Sequence, residues 1–191
     1  MSSIEFLAGT HDDFNSPSPL KDGFVVDEKS IPTGQNVFFN NWKHATPLPS
    51  PAEVRQAANG PNHIKISVSR QQVICFPNLQ LIVKYGDTLR TTVSEGQNLW
   101  LLSFLPHMRV PKVYGWCVDG DQRFLYMERI EGVTVEERWP SLSPSEKLAV
   151  AKQLNSMISS MRGLKQAPGN NYVGQFPSHV SPPQFPITTL F

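Results

Sequence analysis

The chain has 191 residues, 39% of them hydrophobic, which is enough for one domain with a real core. Its net charge of +1, with no polybasic cluster and no acidic tail, gives no basis for a nucleic-acid partner. No run reaches the roughly 18 apolar residues of a membrane span, and Met1-Ser2-Ser3-Ile4-Glu5-Phe6 lacks the basic-then-apolar pattern of a secretory leader, so the expectation is a cytoplasmic protein with no membrane partner.

Residues 1–46 are rich in Ser, Asp, Asn and Gly and show no sustained period, which predicts an irregular N-terminal arm. Its aromatics Phe24, Phe38, Phe39 and Trp42 are expected to pin it onto the body. Ser50-Pro51-Ala52-Glu53 supplies an N-cap, a first-turn Pro and a capping-box Glu, so a short helix is predicted to start there and stop near Asn59-Gly60-Pro61. Three strands follow, over Ile64–Val68, Gln72–Phe76 and Leu79–Tyr85, as an antiparallel meander. A helix opens around Glu95, and strands over Pro111–Cys117 and Arg123–Glu128 flank a hairpin turn at Asp119-Gly120. Cys75 and Cys117 fall in strand-like segments with no second Cys or His pair nearby, so they read as buried thiols rather than zinc ligands or a disulfide.

Ser143-Pro144-Ser145-Glu146 is again a cap, a first-turn Pro and a capping-box Glu, and predicts a long helix to Leu164. Leu148, Ala151, Leu154, Ile158, Met161 and Lys165 recur at three and four, giving an apolar stripe that needs a partner surface. Residues 169–191 are Pro-rich and aperiodic and read as an irregular tail.

Three places carry chemistry. Ile82 and Lys84 share one face of the third strand, so Ile82 could roof an adenine while the Lys84 ammonium reaches phosphate oxygens. Lys84 alone is better explained by a strand running out into water at Gly86-Asp87. Glu95 closes the capping-box pattern Thr92-Val93-Ser94-Glu95, yet Glu95, Leu99 and Leu102 stand at i, i+4 and i+7, which puts the carboxylate on the stripe facing the sheet. A charge there wants a counter-ion, and Lys84 is the nearest candidate. Met127, Glu128 and Ile130 lie where the last strand passes into Glu131-Gly132, a connection whose backbone could hydrogen-bond an adenine edge.

Lys on the third strand, Glu on the next helix, a hairpin, a hinge and a long amphipathic helix follow one another in the order of a protein-kinase-like fold. More narrowly, LIVKYG, EGQNLWLL, VPKVYGW, FLYMERIEG and ERWPSLS resemble the aminoglycoside phosphotransferase and choline kinase-like family, especially its fungal members, over roughly residues 47–176. The resemblance implies an α+β protein: a kinase-like small lobe with hinge over residues 47–132, built from a five-stranded antiparallel sheet and one helix, then the helical start of a large lobe over 133–168. It implies ATP as cofactor, with Lys84 on its phosphates, Glu95 as the partner of Lys84, Met127 before the hinge, and Glu128 and Ile130 meeting adenine.

The departures from the family define the expected activity. No Asp follows Asp121, so the His-Gly-Asp loop and the later metal-binding Asp of the family are missing from these residues. Ser67-Val68-Ser69-Arg70-Gln71-Gln72 stands where a Gly-rich phosphate loop would lie. The expectation is a truncated or degenerate member that binds ATP weakly, holds no magnesium and does not transfer phosphate alone. Two alternatives remain at this point. One is a non-catalytic nucleotide- or protein-binding module, with a protein partner on the stripe from Leu148 to Met161; the other is a non-kinase α+β domain in which Lys84 is a surface residue and Glu95 a cap.

Overall fold

The computed structural model describes residues 19–60, 63–64, 72–87 and 93–169. The arm is less irregular than its composition suggests. It contributes three two-residue strands, β1 (Leu20–Lys21), β2 (Val25–Val26) and β3 (Val37–Phe38). Then come α1 (Pro51–Ala57), β4 (His63–Ile64), β5 (Gln72–Phe76), β6 (Leu81–Asp87) and α2 (Val93–Leu102). The hairpin β7 (Val113–Asp119) and β8 (Gln122–Glu128) leads to α3 (Val135–Arg138), α4 (Pro144–Arg162) and β9 (Lys165–Gln166).

The expected antiparallel sheet is present, and the arm adds a sixth, edge strand to it. Its order is β3-β7-β8-β6-β5-β4, so the second strand of the hairpin lies against the third strand of the meander. Without β3 the outer edge of β7 would present unpaired backbone groups. The arm covers it, and Asn36 Oδ1 accepts from the Val118 N–H at 2.9 Å just beyond the strand pairing. Gly115 makes this approach possible, because a Cβ there would lie 2.5 Å from the Val37 carbonyl oxygen. The first meander strand is described only at His63–Ile64, paired with Val73 and Ile74. Residues 65–71, which include most of the candidate phosphate loop, and the tail from residue 170 lie outside the described residues. The third strand starts at Leu81 rather than Leu79, because Pro77–Leu79 form a single 3₁₀ turn closed by Gln80 in the left-handed region.

Alternation along the strands separates two cores. One face carries Val54, Ile74, Leu81, Val83, Tyr114, Phe124 and Tyr126, under α1. The other carries Trp116, Leu125 and Met127 with Trp100 and Leu101 of α2, and the arm closes it with Ile31, Val37 and Phe39. Both cysteines are buried thiols, Cys75 and Cys117. Burial pushes the Cys117 thiol up to about 11, with its Sγ 4.0 Å from the buried Tyr126 hydroxyl. No helix among the described residues is long and apolar enough to cross a membrane.

Among the described residues, the stripe on α4 does not find the partner surface its spacing asks for. Leu148, Leu154, Ile158 and Met161 are 40–56% exposed, and Ala151 is exposed with them. Among the described residues, α4 is attached near its C-terminal end. Ser160 is buried and donates to the Pro106 carbonyl at 2.7 Å, and β9 pairs in parallel with β2 of the arm. The helix stops at Arg162, so Lys165 belongs to β9 and not to the stripe.

All three helix starts with Ser or Thr caps, at Ser50, Thr134 and Ser143, form complete capping boxes. The Ser143 hydroxyl and N–H hold the Glu146 carboxyl below its ordinary value. A carboxyl with a depressed folded value adds stability above its unfolded value and loses it as pH falls through the folded one. We therefore expect the helical circular dichroism of the native chain to fall on acidification below the ordinary glutamate range. Ser143→Ala should show a smaller acid-dependent loss than the wild type, because part of the cap is already gone.

Candidate functional site

The sheet register places the candidate residues before any side chain is considered. Ile82 faces Met127 and Lys84 faces Leu125 across β6 and β8, so the four stand on the α2 side of the sheet. Lys84 reaches out from this apolar floor to α2, and its Nζ lies 2.6 Å from Glu95 Oε1. The predicted ion pair is formed. The side chains are 28% and 31% exposed, so each charge keeps part of its water. A pair in this intermediate setting contributes about 1 kcal/mol, and neither charge is stranded by burial.

Glu95 sits differently on its helix from the periodicity. The residues of α2 that bury completely are Gly96, Gln97, Trp100 and Leu101, whereas Leu99 is only partly covered. Glu95 lies outside this face, about 100° round the helix from its neighbour Gly96, and that offset leaves it the water a carboxylate needs. Its cap residue Thr92 is outside the described residues, so the capping-box reading concerns a contact not described.

What lets the pair close is Gly96. A Cβ at this position would lie 2.6 Å from Trp116 Cε3 and 3.0 Å from Leu125 Cδ1. The helix backbone therefore rests directly on the indole and brings the preceding residue, Glu95, within reach of β6. Glycine inside a helix ordinarily costs about 0.5–1 kcal/mol relative to alanine. Here the missing side chain is the condition for contact.

The hinge residues divide. Met127 is 5% exposed and belongs to the core beneath α2, against which Ile82 also packs. The Glu128 N–H donates to the Lys112 carbonyl at 2.8 Å, and its carboxylate accepts from the Lys112 N–H at 3.1 Å. The Arg129 N–H donates to the Gln80 carbonyl at 2.8 Å, and the Gln80 side-chain amide donates to Glu131 Oε1 at 3.0 Å. The hinge is thus strapped to the turn before β6, while Ile130 stands 64% exposed. Among the described residues, none accepts a hydrogen bond from the Ile130 N–H.

Sequence reasoning found Lys84, Glu95 and the strand order, and missed Gly96, Gln97 and Gln80. A signal for one of them existed: Gly96 is a glycine inside a helical pattern, which marks close backbone approach. Gln97 is 2% exposed, and its Nε2 donates to the Pro32 carbonyl at 2.7 Å. No group of three His, Cys, Asp or Glu side chains that could hold a metal ion occurs among the described residues.

Compared with known proteins, the chain matches no family model, no curated protein and no solved structure.

The contact at Gly96 reverses the usual sign of a helix substitution. Alanine at exposed Asn98 should be neutral or slightly stabilising. Gly96→Ala should instead cost about 1–3 kcal/mol, because the indole and Leu125 on which it lands are packed and cannot yield cheaply. Urea denaturation of the two variants side by side measures both.

Proposed function

We propose that this chain is the nucleotide-binding small lobe, with the first helices beyond its hinge, of a protein like the aminoglycoside phosphotransferases, and that it binds ATP without transferring phosphate. The observation that carries this reading is the 2.6 Å contact between Lys84 on the third meander strand and Glu95 on the helix after it. An ammonium held by a carboxylate from behind is aimed rather than free, and it still has donors left for phosphate oxygens. Ile82 stands two residues along the same strand face, and Met127 closes the floor beside it. The Ile130 N–H, at the exposed end of a strapped hinge, is the donor we assign to the adenine edge.

Transfer needs a metal and an acceptor-positioning carboxylate, and no Asp follows Asp121 in this chain. ATP affinity then comes from Lys84, Ile82 and the hinge, and it is weak and independent of magnesium. The exposed apolar side of α4 is compatible with the protein-binding alternative. The Lys84–Glu95 pair favours the nucleotide, because a surface lysine and a cap have no reason to meet across a strand and a helix.

A thermal-shift titration with ATP tests this. Ligand at about ten times its dissociation constant adds about 1.4 kcal/mol, a shift of several degrees for a domain of this size. The expected outcome is a shift at millimolar ATP, the same with and without magnesium, and lost in Lys84→Ala. No shift at any ATP concentration would overturn the nucleotide reading, and a large magnesium-dependent shift would overturn the account of the metal.

A further inference from the structure

The arm and α2 are joined in a way that the ion pair alone does not require. Gln97 is two residues from Glu95, is almost fully buried, and donates to the Pro32 carbonyl of the arm at 2.7 Å. Its Oε1 has no partner among the described residues, so the amide is held there for its donor. Pro32 itself is fully buried, and Ile31 and Val37 on either side are 3% and 5% exposed. Two residues on, the Gly34 carbonyl accepts from Trp116 Nε1 at 3.0 Å, which fixes the indole on which Gly96 rests. One turn along α2 from Gln97, Trp100 stacks on Phe39 of the arm at 6.0 Å between centroids, with the rings 6° from parallel. Phe39 also meets Trp116 edge-on at 5.6 Å. Thus α2 is held between the sheet on one side and residues 31–39 on the other, at both of its halves.

We infer that Gln97 positions the Lys84–Glu95 pair, and that residues 31–39 are the brace through which it acts. The pair itself is too weak to locate a helix. The floor at Gly96 sets how close α2 comes to the sheet, but a flat indole does not fix the helix along its own axis or in rotation about it. The Gln97–Pro32 hydrogen bond and the Trp100–Phe39 stack do both, holding α2 at two points, two and five residues beyond Glu95. Release of the arm then lets α2 rotate on the indole and carries the Glu95 carboxylate away from Lys84, while β6 and β8 stay paired. A segment remote in sequence is in this way part of the nucleotide site. The inference rests on the proposed function only for what the pair does once it is formed.

The test follows Lys84 without any nucleotide, so its outcome and that of the ATP titration are separate. Lys84 paired with Glu95 should be acylated by acetic anhydride more slowly than exposed Lys43 and Lys112, as read by peptide mass spectrometry. Glu95→Gln sets the rate of the unpaired lysine. In Gln97→Met, which keeps the volume and loses the donor, Lys84 acylation is expected to rise about three- to fivefold, toward the Glu95→Gln rate, with Lys43 and Lys112 unchanged. An unchanged Lys84 rate in a Gln97→Met chain that still unfolds cooperatively would sink the inference. If that variant has no cooperative transition, the wild-type chain decides, through amide exchange and Lys84 acylation across a urea series below the global midpoint. Acylation of Lys84 rising together with exchange in residues 31–39 supports the brace. Acylation that stays at the native rate while the arm exchanges, or that rises only with the amides of β7 and β8, overturns it.

Discussion

The constraint on which the site depends is the contact of the α2 backbone with the Trp116 indole at Gly96. A helix normally rides on a sheet through side chains, which would hold Glu95 well out from β6. Removing one Cβ lets the helix descend until its backbone touches the ring, where a Cβ would sit 2.6 Å from Cε3. The descent puts a glutamate within 2.6 Å of a lysine on the third strand. It also makes the indole structural in two directions, since Trp116 is 1% exposed and gives its N–H to the arm. Glu95, Gly96 and Gln97 are consecutive, and they carry a charge contact, a packing contact and a buried hydrogen bond to three different parts of the molecule.

The legible part of the fold was the local part. Ser50, Ser143 and their glutamates announced their helices, and Asp119-Gly120 announced the hairpin, with Gly120 taking the left-handed conformation the turn needs. Alternation in Leu81–Tyr85 placed Ile82 and Lys84 on one face, and the register agrees. What stayed hidden was long-range and made with backbone. The acceptors of Gln97 and Trp116 are the carbonyls of Pro32 and Gly34, groups every residue has, so no residue type signals them. The edge strand Val37–Phe38 is two residues long, below the length at which alternation can be recognised, and it exists because β7 offers an edge to pair with.

The misplaced centre of the α2 stripe has the same kind of cause. Apolar spacing alone put Glu95, Leu99 and Leu102 toward the sheet, because a glycine and a glutamine carry no apolar weight. In the folded chain Gly96 and Gln97 are the buried ones, the first because contact needs no side chain and the second because its amide is paired with the arm. The helix is therefore turned well past its apolar spacing, so that positions 96, 97, 100 and 101 are buried and Glu95 lies outside that face.

That rotation bears on what the pair can do. Breaking a fully buried ion pair by drawing one partner away costs about 3–5 kcal/mol, and a lysine so held could not serve a phosphate. At 28% and 31% exposure the pair lies in the regime where the two charges attract modestly and each still meets water. The Lys84 ammonium has three donors, of which the Glu95 contact uses one. On the proposed reading, a phosphate oxygen replaces water on a second donor while the carboxylate stays in place, so binding requires no rupture and little reorganisation. The glutamate then directs the ammonium by occupying its far side, and the arm that holds α2 determines how well it does so.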